Sequence, residues 1–180
     1  LRRTVLLASR DVNEIETAAE ETLFWDLVDT AWAQVGAEAD ALRKGLAARA
    51  SDDEAYALDP HLRPFLTRLR ALGEELSSAE LTALDRVAER KLHEIDRADI
   101  HEVTDGSDDG FLYCRGFIVA MGRDFHRAVL ADPSVAVLDA ECESFCYFFA
   151  HLHRERFGCF PETGSGISRE TGRNRVGWSG

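Results

Sequence analysis

A chain of 180 residues, 45% hydrophobic and 30% charged, suits one domain that buries about 70% of its unfolded surface with no disulfide or structural metal. That balance excludes a disordered chain and a membrane-spanning one. Acidic residues outnumber basic ones 33 to 21 for a net charge of -12, and residues 11–60 hold 13 acidic side chains against only Arg43, Lys44 and Arg49. Such a surface repels nucleic acid and leaves solubility, a cation or a basic partner protein as its uses.

The opening run Leu1 to Leu7 shows a trace of β-alternation and mimics a secretory leader. Its apolar stretch is short and Arg10-Asp11 follow at once, so neither export nor membrane insertion is expected, and the chain reads as cytoplasmic. Residues 1–12 are set apart as an N-terminal extension of uncertain structure.

The helical domain is expected over residues 13–158. Phe24, Leu27, Val28, Ala31 and Val35 repeat at helical spacing, widened by Trp25 and Trp32, which predicts a helix over Thr22–Val35 ended by Gly36. A short helix is predicted over Ala37–Ala50, and helical spacing resumes from Leu62 to Leu72. Ser77 and Glu80 have capping-box spacing, and Leu81, Leu84, Ala88, Leu92 and Ile95 follow as one apolar face. Arg97 to Asp105 reads as irregular. Ser107 can cap a further helix carrying Phe111, Ile118 and Phe125, closed by Asp132-Pro133. A last helix is predicted over about Leu138–Arg156, with Gly158 as its stop. Beyond it the Gly, Ser, Arg and Thr composition predicts a flexible tail, residues 159–180. The fold class is therefore mainly α: a single compact multi-helix domain with flexible ends.

The densest motif is Thr104-Asp105-Gly106-Ser107-Asp108-Asp109-Gly110-Phe111, an acidic turn that feeds a helix. One reading is architectural: Ser107 caps while Asp108 and Asp109 complement the helix dipole. Arg115 does not fit that reading, because its spacing from Phe111 and Ile118 places a guanidinium on the buried face. A buried arginine needs an anion. Asp108 is the local choice, with Asp96, Asp99 and Glu102 as others; the alternative is an outside anionic ligand held by Arg115 and the helix N-terminus. Ser107, Asp108, Asp109, Arg115 and Arg123 are thus the candidate ligand-binding residues.

Other patterns fail on inspection. Asp105, Ser107, Asp109, Gly110 and Leu112 match part of a calcium loop, but Gly116 stands where a bidentate Glu is required. His93-Glu94 and His101-Glu102 lack the four-residue histidine spacing of a zinc protease. Cys142 and Cys146 lie on an aromatic stripe, where a free thiol acts as a small hydrophobe, and with Cys114 and Cys159 they read as reduced. No metal and no cofactor is implied.

Phe24-Trp25, Ser107-Asp108-Asp109-Gly110-Phe111, Arg115-Gly116-Phe117-Ile118, Gly122-Arg123 and Ala131-Asp132-Pro133 together resemble the bacterial family called domain of unknown function 4240, over roughly residues 22–157. His93 to Thr104 departs from the Trp-containing, Gly-rich lead-in of that family. The resemblance implies a mostly helical domain and lends no activity. No nucleophile and base stand at recognisable spacing, so the expected function is a non-enzymatic regulatory or protein-binding module that uses its acidic surface around Trp25 and Trp32, with a basic protein as partner and no nucleic acid or membrane. The alternatives are a small-ligand or metal-binding enzyme at Asp108, Asp109 and Arg115, and an immunity protein against a basic toxin.

Overall fold

A computed structural model describes residues 5–104 and 106–179, with side chains from residue 18 onward. Leu1 to Thr4, where the β-alternation begins, and Asp105, the first position of the partial calcium loop, lie outside the described residues. Among the described residues there are ten α-helices and no strand. They are α1 (Val5–Val35), α2 (Ala37–Gly45), α3 (Asp53–Tyr56), α4 (Asp59–Gly73), α5 (Ser78–Glu94), α6 (Ala98–Thr104), α7 (Asp108–Ala120), α8 (Arg123–Ala131), α9 (Glu143–Cys146) and α10 (Phe148–Phe157). None is long and apolar enough to cross a membrane.

Helix α5 is the central element, in contact with α1, α7 and α10. Its start is the predicted capping box: Ser77 Oγ accepts the backbone N–H of Glu80 while the Glu80 carboxylate accepts the N–H of Ser77. Its end is closed by side chains from elsewhere, because the last carbonyls of a helix have no partner within it. The Lys91 carbonyl accepts His126 Nε2 at 3.1 Å, the Leu92 carbonyl accepts Arg115 Nη1 at 3.0 Å, and the His93 carbonyl accepts Asn174 Nδ2 at 3.0 Å. Burial pushes the His126 imidazole below its ordinary pKa, and because a carbonyl only accepts, Nε2 carries the hydrogen given to Lys91.

Trp25 and Trp32 belong to the core, not to an interaction surface. Trp32 is fully buried, stacks on Phe65 at 4.5 Å and donates its indole N–H to the Ala120 carbonyl at 2.8 Å. Trp25 is 1% exposed and packs edge-on against Phe24, which in turn meets Phe149 at 5.7 Å. The two indoles widen a stripe that is itself buried, and an expectation that they face a partner fails for that reason.

Three local expectations are corrected. The helix expected from Ser107 to Ala131 breaks at Gly122, whose φ of +102° separates α7 from α8. A side chain there would also meet Arg43 Nη1 at 2.6 Å. The last helix starts late, because residues 136–142 are irregular and a kink at Tyr147 divides α9 from α10. Residues 98–104, read as irregular, form α6, whose first N–H groups are engaged by Gly177 O and the Asp99 side chain.

Gly116 lets α7 lie directly against the α9 backbone. A Cβ there would stand 2.6 Å from both the Cys142 carbonyl oxygen and Cys146 Sγ. Gly116→Ala is expected to cost a net ~1–2 kcal/mol in urea unfolding, since overpacking outweighs the gain in helix propensity. An unchanged midpoint would contradict this packing.

Of residues 159–180, expected as a flexible tail, the described ones, 159–179, form no helix, and residues 163–178 are hydrogen-bonded along α5 and the start of α6. Arg86 Nε donates to Thr163 O, and Glu89 Oε2 accepts the hydroxyls of Thr163 and Ser165 at 2.7 and 2.6 Å. Asp96 accepts the backbone N–H groups of Gly172, Arg173 and Asn174 and the indole N–H of Trp178, all within 3.0 Å. Little apolar surface is buried, as the composition says; the tail is held by polar groups instead.

Candidate functional site

The five sequence-derived candidates do not converge on one cavity. Ser107 caps α7, its Oγ accepting the Gly110 N–H at 3.2 Å, and Asp108 and Asp109 are exposed in the first turn. Arg123 is half-buried at the far end of α7, about 20 Å of helix away. There it lines a separate cleft of about 140 Å³ with Asp26, Asp29, Arg43, Lys44 and Asp124, its Nε buried without a hydrogen-bond partner.

Arg115 is fully buried, and among the described residues no carboxylate pairs with it directly. Its Nη1 donates to Leu92 O at 3.0 Å, and its Nη2 donates to Arg169 O at 2.8 Å and Thr171 Oγ1 at 3.3 Å. The guanidinium rests on the Phe111 ring at 4.9 Å, a cation–π contact. Asp108, the expected partner, stays in solvent and offers only its backbone carbonyl, to Thr171 Oγ1 at 2.6 Å. Asp96 is the carboxylate whose field acts most on Arg115. Burial alone would raise the Asp96 pKa, but the N–H donors of Asn174 and Gly172, the Trp178 indole and the Arg115 charge together bring it below the ordinary carboxylate value.

A different constellation surrounds a cleft of about 430 Å³ where α5, α10 and the tail meet. Asp85 and Glu89 stand one turn apart on α5 and so share a face. Tyr147 and His151 contribute stacked rings 6.2 Å apart, and Phe160 lies 6.0 Å from His151. Arg169, 5% exposed, reaches in from the tail. Its Nη2 is 2.6 Å from Asp85 Oδ1 and 3.5 Å from Glu89 Oε1, its Nη1 donates to Cys146 O at 2.5 Å, and its guanidinium lies over the Tyr147 ring at 4.9 Å.

Asp85 is 3% exposed, and its Oδ1, although close to Arg169, receives no hydrogen bond of good geometry. Burial and the neighbouring Glu89 charge push its pKa up, more than Arg169 and the Ala150 backbone N–H pull it down. Burial, with Glu170 beside the hydroxyl, likewise raises Tyr147. The cleft thus holds two carboxylates against one guanidinium, between aromatic walls. It can bind a further positive group by charge and ring face together.

Sequence reasoning missed this cleft although half of its signal was present. Asp85 falls at i+4 from Leu81 and three before Ala88, a carboxylate on the apolar stripe of α5. The other half, Arg169, sits in a polar segment that gives no sign of a buried side chain. The cysteines are not part of a site: Cys114, Cys142 and Cys146 are buried, which raises each thiol to about 12. Among the described residues no group of three or more His, Cys, Asp or Glu is arranged to hold a metal.

Comparison with known proteins gives a family without an activity. No curated protein and no solved structure matches the chain. The family model described as protein of unknown function (DUF4240) matches residues 49–152, more than half of the chain, and that span contains Asp85, Glu89, Arg115, Tyr147 and His151. The chain belongs to the DUF4240 family.

Proposed function

We propose that this protein is a binding module that receives a positively charged group of a partner in the cleft between α5, α10 and the tail. The observation that carries this reading is the pairing of Asp85 and Glu89 with a single guanidinium, Arg169, in a cleft walled by Tyr147, His151 and Phe160. A second cation would meet Glu89, whose Oε1 Arg169 approaches only to 3.5 Å. The net charge of -12 favours the approach of a basic partner and repels nucleic acid. The acidic turn at Ser107–Asp109 is a weaker site, because both terminal nitrogens of the Arg115 beneath it already donate to protein oxygens and only its buried Nε is unpaired.

Calorimetric titration of the full chain with butylammonium and with propylguanidinium tests this. Binding is expected to weaken as salt is raised, and Glu89→Gln is expected to weaken it about tenfold, the ~1.4 kcal/mol of one charge-assisted contact. Affinity for neither cation, or affinity indifferent to Glu89→Gln, would overturn it.

A further inference from the structure

The pocket that holds Arg169 is made almost entirely by the helical body. Its acceptors are the Asp85 and Glu89 carboxylates on α5 and the Cys146 carbonyl at the end of α9, and its floor is the Tyr147 ring. All four residues lie inside the family-matched span 49–152, whereas Arg169 comes from beyond it. Of residues 159–179, Arg169 is the one that is buried; the others are exposed or half-buried. Arg169 is thus the one tail side chain that enters the cleft, while the backbone around it is held separately, by Arg115 at the Arg169 carbonyl and by Asp96 at residues 172–174.

The pocket's geometry is specific for a guanidinium. Its oxygens face two different nitrogens, Cys146 O accepting from Nη1 and the Asp85 carboxylate paired by charge with Nη2 at 2.6 Å, and the ring lies against the flat face of the group. A planar fork satisfies all three at once; an ammonium, a single point charge on a flexible stem, satisfies one or two. Arg154 lies over Phe160 in the same manner at 4.9 Å, so guanidinium groups already rest on two of the cleft's aromatic side chains.

Resting on the reading of the cleft as a cation site, we infer that its partner presents an arginine on an extended segment, and that this arginine takes over the pocket of Arg169 and displaces the tail. The tail is then an internal copy of the partner's segment. Trp178, tied to Asp96 at the far end of the tail, reports the displacement through its fluorescence.

The test is chemical rescue in the full chain. Arg169→Ala empties the pocket, and propylguanidinium is expected to bind this variant at least tenfold more tightly than it binds the unaltered protein and to raise its melting temperature, with butylammonium doing neither. A peptide copying residues 163–175 is expected to change the Trp178 signal of the unaltered protein, and the same peptide with alanine for arginine at the position of Arg169 is not. If the unaltered protein and Arg169→Ala bind the two cations alike, the displacement inference fails while the cleft reading stands. If neither protein binds either cation, both fail. Should Arg169→Ala not fold, Arg169→Lys serves in its place: it keeps the charge and loses the fork, and it is expected to yield the pocket to propylguanidinium more readily than the unaltered protein. Equal affinity of Arg169→Lys and the unaltered protein would overturn the inference.

Discussion

Arg115→Met is expected to destabilise the protein by about 3–5 kcal/mol, because it removes a fully buried charge whose surroundings are built for it. Methionine fills much of the volume but donates nothing. The Leu92 carbonyl at the end of α5 and the Arg169 carbonyl in the tail would both lose their donor. Each orphaned buried acceptor costs about 1–3 kcal/mol, and Asp96 loses the positive field that helps to keep it ionised. Against a total stability of about 5–15 kcal/mol this is a large fraction. Arg115→Lys keeps the charge but reaches only one of the two separated carbonyls, so an intermediate loss is expected. Urea unfolding followed by circular dichroism measures both. A loss under about 1 kcal/mol for Arg115→Met would contradict the role of Arg115 as the link between α5, α7 and the tail.

Asp96→Asn is expected to cost about 3 kcal/mol and to flatten the acid side of the stability profile. Asp96 is fully buried and accepts three backbone N–H groups and one indole N–H. An asparagine keeps one oxygen and turns an N–H₂ toward donors, which leaves some of them unsatisfied. The sign of the pH effect follows from the pKa. Burial would raise it, but the N–H donors of Asn174 and Gly172, the Trp178 indole and the Arg115 charge bring it below its unfolded value. The stabilisation is therefore present above an ordinary aspartate pKa of about 4 and is lost as pH falls through the lower folded value. Trp178, bonded to Asp96, is the local reporter. On acidification from pH 5 to pH 2 its fluorescence is expected to change in the unaltered protein more than in Asp96→Asn, where no carboxylate remains to be protonated. Identical acid transitions in the two proteins would contradict the anchoring of the tail at Asp96.

Both residues show where the sequence was readable and where it was not. The burial of Arg115 follows from its spacing with Phe111 and Ile118, a local pattern, and the capping of α5 by Ser77 and Glu80 is local too. The partners of Arg115 are not local. They lie 23 and 54 residues away, and most of its donors go to backbone carbonyls, which every residue carries and no sequence pattern marks. The pair of Asp85 and Arg169 spans 84 residues, and only the carboxylate half disturbs a hydrophobic stripe. Trp25 and Trp32 were visible as part of an apolar face, but such a face shows no difference between core and docking surface until its neighbours are known. The division of the helix after Ala120 rests on Gly122, where a positive φ coincides with the close approach of Arg43 from a distant part of the chain.

On the proposed reading the cleft between α5, α10 and the tail, and not the acidic turn before α7, receives a positive group. Amide chemical-shift mapping during titration with propylguanidinium tests it most directly, because the two candidate sites lie on different elements. Shifts centred on Glu89, Tyr147, His151 and Arg169 are expected. Shifts centred on Ser107, Asp108 and Asp109, with the cleft residues unmoved, would contradict it.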